Sequence, residues 1–158
     1  MGRFYERSSK KTAVESIDPK VRDAIVAHAE KHQLGDVLGA AQLCCVTRSV
    51  RLKRPGLLAR LTKTGDLDAE HTTIALLLPR YLVVAVAGER RGIHVRSIRL
   101  ENASIALSVP AVDTGIAVDG LWSGALEPAS FHVGLGDDAD GTAFLAALRE
   151  AITEVKSA

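Results

Sequence analysis

Apolar residues along this chain recur with two different periods, and the point where one gives way to the other divides it. Residues 1–17 include Arg3, Arg7, Ser8, Ser9, Lys10 and Lys11 with little apolar periodicity, and read as a mobile or loosely docked N-terminal arm. Asp18-Pro19 then supplies a helix start, an N-cap acid followed by proline at the first helical position. Val21, Ala24, Ile25, His28, Ala29 and His32 fall on one side at helical spacing, and Leu34-Gly35 ends the pattern, so a helix is predicted over about 19 to 33.

From Val37 onward the period shortens to two. In residues 40–53, Val46, Arg48, Val50 and Leu52 share one parity while Thr47, Ser49, Arg51 and Lys53 share the other, which predicts a strand ended by Pro55-Gly56. A weaker segment, Leu57 to Thr62, and a polar loop through Gly65, Asp66, Asp68 and Glu70 follow. TTIALLL at 72–78 and YLVVAVA at 81–87, joined at Pro79-Arg80, predict a hairpin. After the turn Gly88 to Gly92, the strand IHVRSIRL slips its alternation near Ser97 and Ile98, as a β-bulge would make it do. Glu101-Asn102 is expected to turn the chain into a further strand, with Ile105, Leu107 and Val109 on one face. Pro110 and Gly115 precede another, and Phe131, Val133 and Leu135 mark the last of seven or eight. Asp137 to Lys156 closes the chain as an amphipathic helix with the stripe Phe144, Ala147, Leu148, Ala151, Ile152 and Val155.

A chain of 158 residues with 47% hydrophobic composition can bury one sizeable core. The expected division is an arm at 1–17, a helix at 18–35 and one mainly β domain at 36–158. Net charge is only +1, yet residues 1–99 hold 18 Lys and Arg against 10 Asp and Glu, and the remainder hold 2 against 9. Such a balance excludes a strongly polyanion-seeking protein by total charge, and no nucleic-acid partner is expected. Cys44 and Cys45 are adjacent, so in a strand their side chains face opposite ways and an ordinary disulfide between them is disfavoured. No apolar run reaches the roughly 18 residues of a membrane span and no signal-peptide core opens the chain, so a cytoplasmic location is expected.

Strands in meander order, the hairpin ALLLPRYLVVAV, the return strand HVRSIRLENASI, and the last strand FHVGLGDDADG feeding a helix resemble the bacterial pleckstrin-homology-like (PH-like) domains over about residues 40–156. The resemblance implies an α+β, mainly β fold: a barrel of two antiparallel sheets capped by the C-terminal helix, with an extra N-terminal helix outside the match. It also implies a non-catalytic binding module for lipid headgroups, peptides or proteins, since fold alone assigns no ligand.

Candidate chemistry is sparse. The run Arg48, Arg51, Lys53, Arg54, Arg60 and Lys63 contains no acid and sits where lipid-binding members of that family meet phosphates. It is the expected anion- or partner-binding region, with peripheral attachment to the inner face of an anionic membrane as the alternative function. A solvated strand face whose basic side chains cover apolar surface accounts for the same run. His28 and His32 have metal-chelating spacing but lack an identifiable acidic or cysteine partner, and packing histidines are the simpler reading. Asp137, Asp138 and Asp140 lack the first and last ligands of a calcium loop and read as helix caps. No catalytic residue, metal site or cofactor is expected. The function read from the sequence is an interaction module engaging another protein or a second copy of itself, with a small-ligand or enzymatic barrel as a further alternative.

Overall fold

The computed structural model describes residues 5–52, 68–107 and 114–158. Lys53, Arg54, Arg60 and Lys63, the segment Leu57 to Thr62 and the turn at Pro110 lie outside them. Among the described residues seven strands follow one another: β1 Tyr5–Lys11, β2 Leu43–Arg51, β3 Glu70–Leu77, β4 Tyr81–Gly88, β5 Gly92–Leu107, β6 Ile116–Trp122 and β7 Ala129–Val133. They form one sheet in chain order with every neighbour antiparallel, curled into a half-barrel. A 3-10 turn at Val14–Ser16, helix α1 Pro19–Lys31 and the short α2 Val37–Ala40 lie between β1 and β2, and helix α3 Ala139–Ser157 ends the chain. Among the described residues no helix is long and apolar enough to cross a membrane.

The N-terminal segment corrects the expectation of a mobile arm. Residues 5–11 pair along their whole length with Arg51 back to Cys45 of β2. Periodicity missed this strand because the residues it turns inward, Tyr5, Arg7 and Ser9, are polar or amphipathic, and Arg7 is nevertheless only 9% exposed. Along the chain α1 and α2 therefore lie between the first two strands of the sheet.

Each face of the sheet packs against a helix. On the inner face Leu77, Leu82, Val84, Ile98, Leu100, Ile116 and Val118 pack against Phe144, Leu148 and Ile152 of α3. On the outer face Cys44, Ile74, Leu76, Val83 and Ala85 pack against Val21, Ile25 and Ala29 of α1. Burial on two faces explains why TTIALLL and YLVVAVA are continuous apolar runs instead of alternating ones. It also commits the α1 stripe within the chain, each large apolar side chain contributing roughly 1.5–3 kcal/mol. Cys44 and Cys45 face opposite cores, as adjacent strand residues must. Burial, with Cys45 next, pushes the Cys44 thiol up to about 11, so neither nucleophilic nor metal chemistry is favoured there.

The two elements expected around Glu101-Asn102 are one 16-residue strand. Ser97 and Ile98 are both buried because α1 covers one face and the inner core the other, so the alternation does not slip at that point. The shift in register comes later, between Ile98 opposite Trp122 and Ala103 opposite Gly120. It moves the inward parity from Ile98 and Leu100 to Ala103 and Ile105. Gly120 permits this crowding: its φ is +150°, and a Cβ there would stand 2.0 Å from the Asn102 carbonyl oxygen.

The half-barrel is drawn together at a seam between β1 and the stretch after β7. The Gly136 amide donates to Ser9 Oγ at 2.8 Å, the Ser9 amide to Asp138 Oδ2 at 2.8 Å, and the Lys11 amide to Asp140 Oδ2 at 2.8 Å. Asp138 also caps α3 by accepting from the Gly141 amide at 3.1 Å. Asp138 and Asp140, two of the three aspartates read from sequence as helix caps, thus occupy edge amides of β1, an edge that would otherwise invite pairing with another chain.

Candidate functional site

Element dimensions decide where the sheet stays open. α1 has 13 residues, about 20 Å of helix, and a helix is only about 10 Å across. The outer face of β2–β5 spans four strands at about 4.8 Å spacing. α1, joined on that face by Val37 of the short α2, does not cover all of it, and a groove of about 610 Å³ remains beside the N-terminal end of α1. Its floor follows the register of the sheet. Thr72 of β3 lies opposite Ala87 of β4, which lies opposite Ile93 of β5, and Val46 of β2 lies opposite Ile74. Ile17 and Val21 form the wall on the helix side, while Asp18, Lys20, Glu70 and Glu89 stand among the polar lining residues.

The end of the groove is held rigid by Asp68. Its carboxylate accepts the Arg90 amide at 2.8 Å, the Arg91 amide at 3.3 Å and Arg91 Nε at 3.1 Å, which ties the start of β3 to the turn between β4 and β5. Burial alone would raise its pKa, but the two amides and the guanidinium outweigh that and hold the carboxyl below the usual range. Asp68 is thus a charged anchor and not a proton donor. Asp18 is similarly engaged, accepting the Lys20 amide at 2.9 Å as N-cap of α1.

At the other end of α1 a hydrogen-bond chain joins three elements. Ser97 Oγ donates to Ser123 Oγ at 2.7 Å, so its oxygen accepts from His28 Nε2 at 2.8 Å in the neutral tautomer. The His28 and His32 rings lie 4.4 Å apart. Burial, then His32 and Lys31, lowers His28 to about 4. A histidine that weak as a base, donating to the serine it would have to deprotonate, does not activate a nucleophile near neutral pH. The chain is a packing device, as the sequence suggested for these histidines.

His28 carries a pH prediction. Below its ordinary pKa of 6.5 the unfolded chain takes up a proton that the folded chain resists down to about 4. Its contribution is fully present above pH 6.5 and is lost as pH falls toward 4. With allowance for partial exposure, the loss is about 1–2 kcal/mol. His28→Gln, which keeps a nitrogen donor, should remove that part of the acid slope in urea titrations between pH 7 and 4. An unchanged slope would contradict the assignment.

The basic run is not one patch in its described part. Arg48 lies opposite Thr72 on the outer side of β2 and pairs with Glu70 at 2.5 Å, both side chains being more than half exposed. An exposed pair of this kind contributes little, but it answers the Arg48 charge. Arg51 has the opposite parity and lies beside Tyr5. Arg90 and Arg91 lie in the turn between β4 and β5. A second cavity of about 410 Å³, bounded by Arg80, Tyr81, Arg99, Glu101, Val155 and Ala158, lacks the broad apolar floor of the groove.

The chain matches no family model, no curated protein and no solved structure. The site rests on geometry, and sequence reasoning had not found it. The available signal was the pair of continuous apolar strands, which require cover on both faces, together with a helix of only 13 residues as the main cover for one of them.

Proposed function

We propose that this chain is a non-catalytic PH-like module that binds a segment of another protein in the outer groove. The observation that carries this reading is the groove itself: about 610 Å³, floored by side chains from four strands and left open between the sheet and the N-terminal end of α1. That volume lies in the range of specific binding sites, and an apolar floor with polar groups at its margin suits a side chain leaving water. Among the lining acids, Asp18 and Asp68 are held in structural contacts, which favours binding over proton transfer. The meander order and the terminal helix accord with the PH-like resemblance. On that reading the half-barrel divides into two sheets, with the groove on the face that the inserted helix has remodelled.

Thr72→Trp tests it. Thr72 is half-buried on a strand, where tryptophan is well tolerated, and the indole would fill the groove. Proteins retained from lysate by the native chain should include one whose recovery falls about tenfold with the variant, equivalent to roughly 1.4 kcal/mol. Ala87→Leu provides a second filling variant, and thermal unfolding checks that each has folded. Identical recoveries from the native protein and two folded variants would sink the proposal.

A further inference from the structure

We infer that the segment received by the groove is cationic, an apolar side chain seated over Thr72, Ala87 and Ile93 with a Lys or Arg beside it. This rests on the binding reading above and adds the chemistry of the partner. Three carboxylates among the described lining residues, Asp18, Glu70 and Glu89, face a single lining cation, Lys20, while Asp68 is already matched by Arg91. Glu70 shares its charge with Arg48 through an exposed, solvent-screened pair, so it can take a second cation without a buried bond being broken. An incoming carboxylate would meet like charge at Glu89, whereas an incoming ammonium or guanidinium would find an acceptor there and a second in the exposed Glu70. Complementarity of this kind selects partners and speeds their encounter, and it weakens with salt. The apolar floor supplies the other half of recognition by removing a side chain from water. The geometry therefore fits a short stretch of alternating apolar and basic residues better than an acidic peptide or an anionic lipid.

Selection from a random dodecapeptide library displayed on phage, with the full chain as bait, tests the inference. The expected peptides carry Leu, Ile or Val beside Lys or Arg. As synthetic peptides they should bind about tenfold more weakly to Thr72→Trp and to Glu70→Lys/Glu89→Lys, and more weakly as salt is raised. Peptides that lose affinity for Thr72→Trp but are acidic, or are indifferent to charge reversal, overturn the cationic partner and leave the groove reading intact. No enrichment, or binding unaffected by Thr72→Trp, overturns both. Two other occupants would also overturn the inference: residues 53–67 of the same chain, recognised by NOEs to Ile74 without peptide, or a second copy, recognised by a doubled mass that Thr72→Trp returns to monomer.

Discussion

Arg7→Ala is expected to lower stability by about 3 kcal/mol, a fall in Tm of roughly 6–12 °C for a chain of this size. Arg7 donates from Nε to Ser49 Oγ at 2.8 Å and from a terminal nitrogen to the Thr114 carbonyl at 2.8 Å, and its guanidinium lies 4.8 Å from the centre of the Tyr5 ring. It threads past Gly134, where a Cβ would stand 2.7 Å from Nε, so the side chain spans the seam that draws the half-barrel together. Burial lowers its pKa below the ordinary value against an opposing effect of Tyr5, but a guanidinium remains charged at any working pH. Alanine would remove the charged donor from a half-buried carbonyl and a buried hydroxyl and leave a void beside glycine. Arg7→Lys should recover only part of the loss, because one ammonium cannot reproduce a two-directional fork. Urea unfolding measures both variants. A loss below about 1 kcal/mol for Arg7→Ala would mean that β1 behaves as the loosely docked arm its sequence suggested.

Phe144→Ala is expected to cost about 3–5 kcal/mol, with an apparent Tm lower by roughly 6–20 °C. Phe144 is 1% exposed and heads the stripe of α3 that continues through Leu148 and Ile152 into the inner core. The deletion leaves a cavity bounded by strands that are themselves locked in a hydrogen-bonded sheet, so collapse around it is limited. Glu150→Ala, on the exposed face of the same helix, should change stability by no more than about 0.5 kcal/mol. Equal effects of the two substitutions in thermal unfolding would contradict the placement of α3 as the plug of the half-barrel.

Much of the fold was legible because burial leaves a periodic trace. The helix at 19–33 matched α1 to within two residues, since Asp18-Pro19 fixes its start and its apolar stripe is regular. The α3 stripe and the hairpin through Pro79-Arg80 were readable for the same reason. β1 was not, because its inward residues reach solvent-like partners inside the protein: Arg7 finds Ser49 and Thr114, and Ser9 finds Thr47 at 2.6 Å. A hydropathy pattern treats such residues as exposed. The shift within β5 was misplaced because two faces are buried at Ser97 and Ile98, which imitates a bulge in one dimension.

The candidate site was less legible than the fold. Charge along the chain drew attention to Arg48 and Arg51, yet parity puts them on opposite faces of β2. The groove depends on four stretches separated in sequence, and on how little of the outer face α1 can cover. Neither the width of a helix nor the register Thr72–Ala87–Ile93 is visible until the strands are paired.

Chemical-shift mapping with the tightest library peptide locates the binding surface residue by residue. With the peptide seated in the outer groove, the amides of Val46, Thr72, Ala87 and Ile93 shift together on titration, while those of Tyr5, Arg51, Arg80 and Arg99 stay in place. Shifts gathered around Tyr5 and Arg51, or around Arg80, Tyr81 and Arg99, with the groove amides unmoved, would contradict that placement.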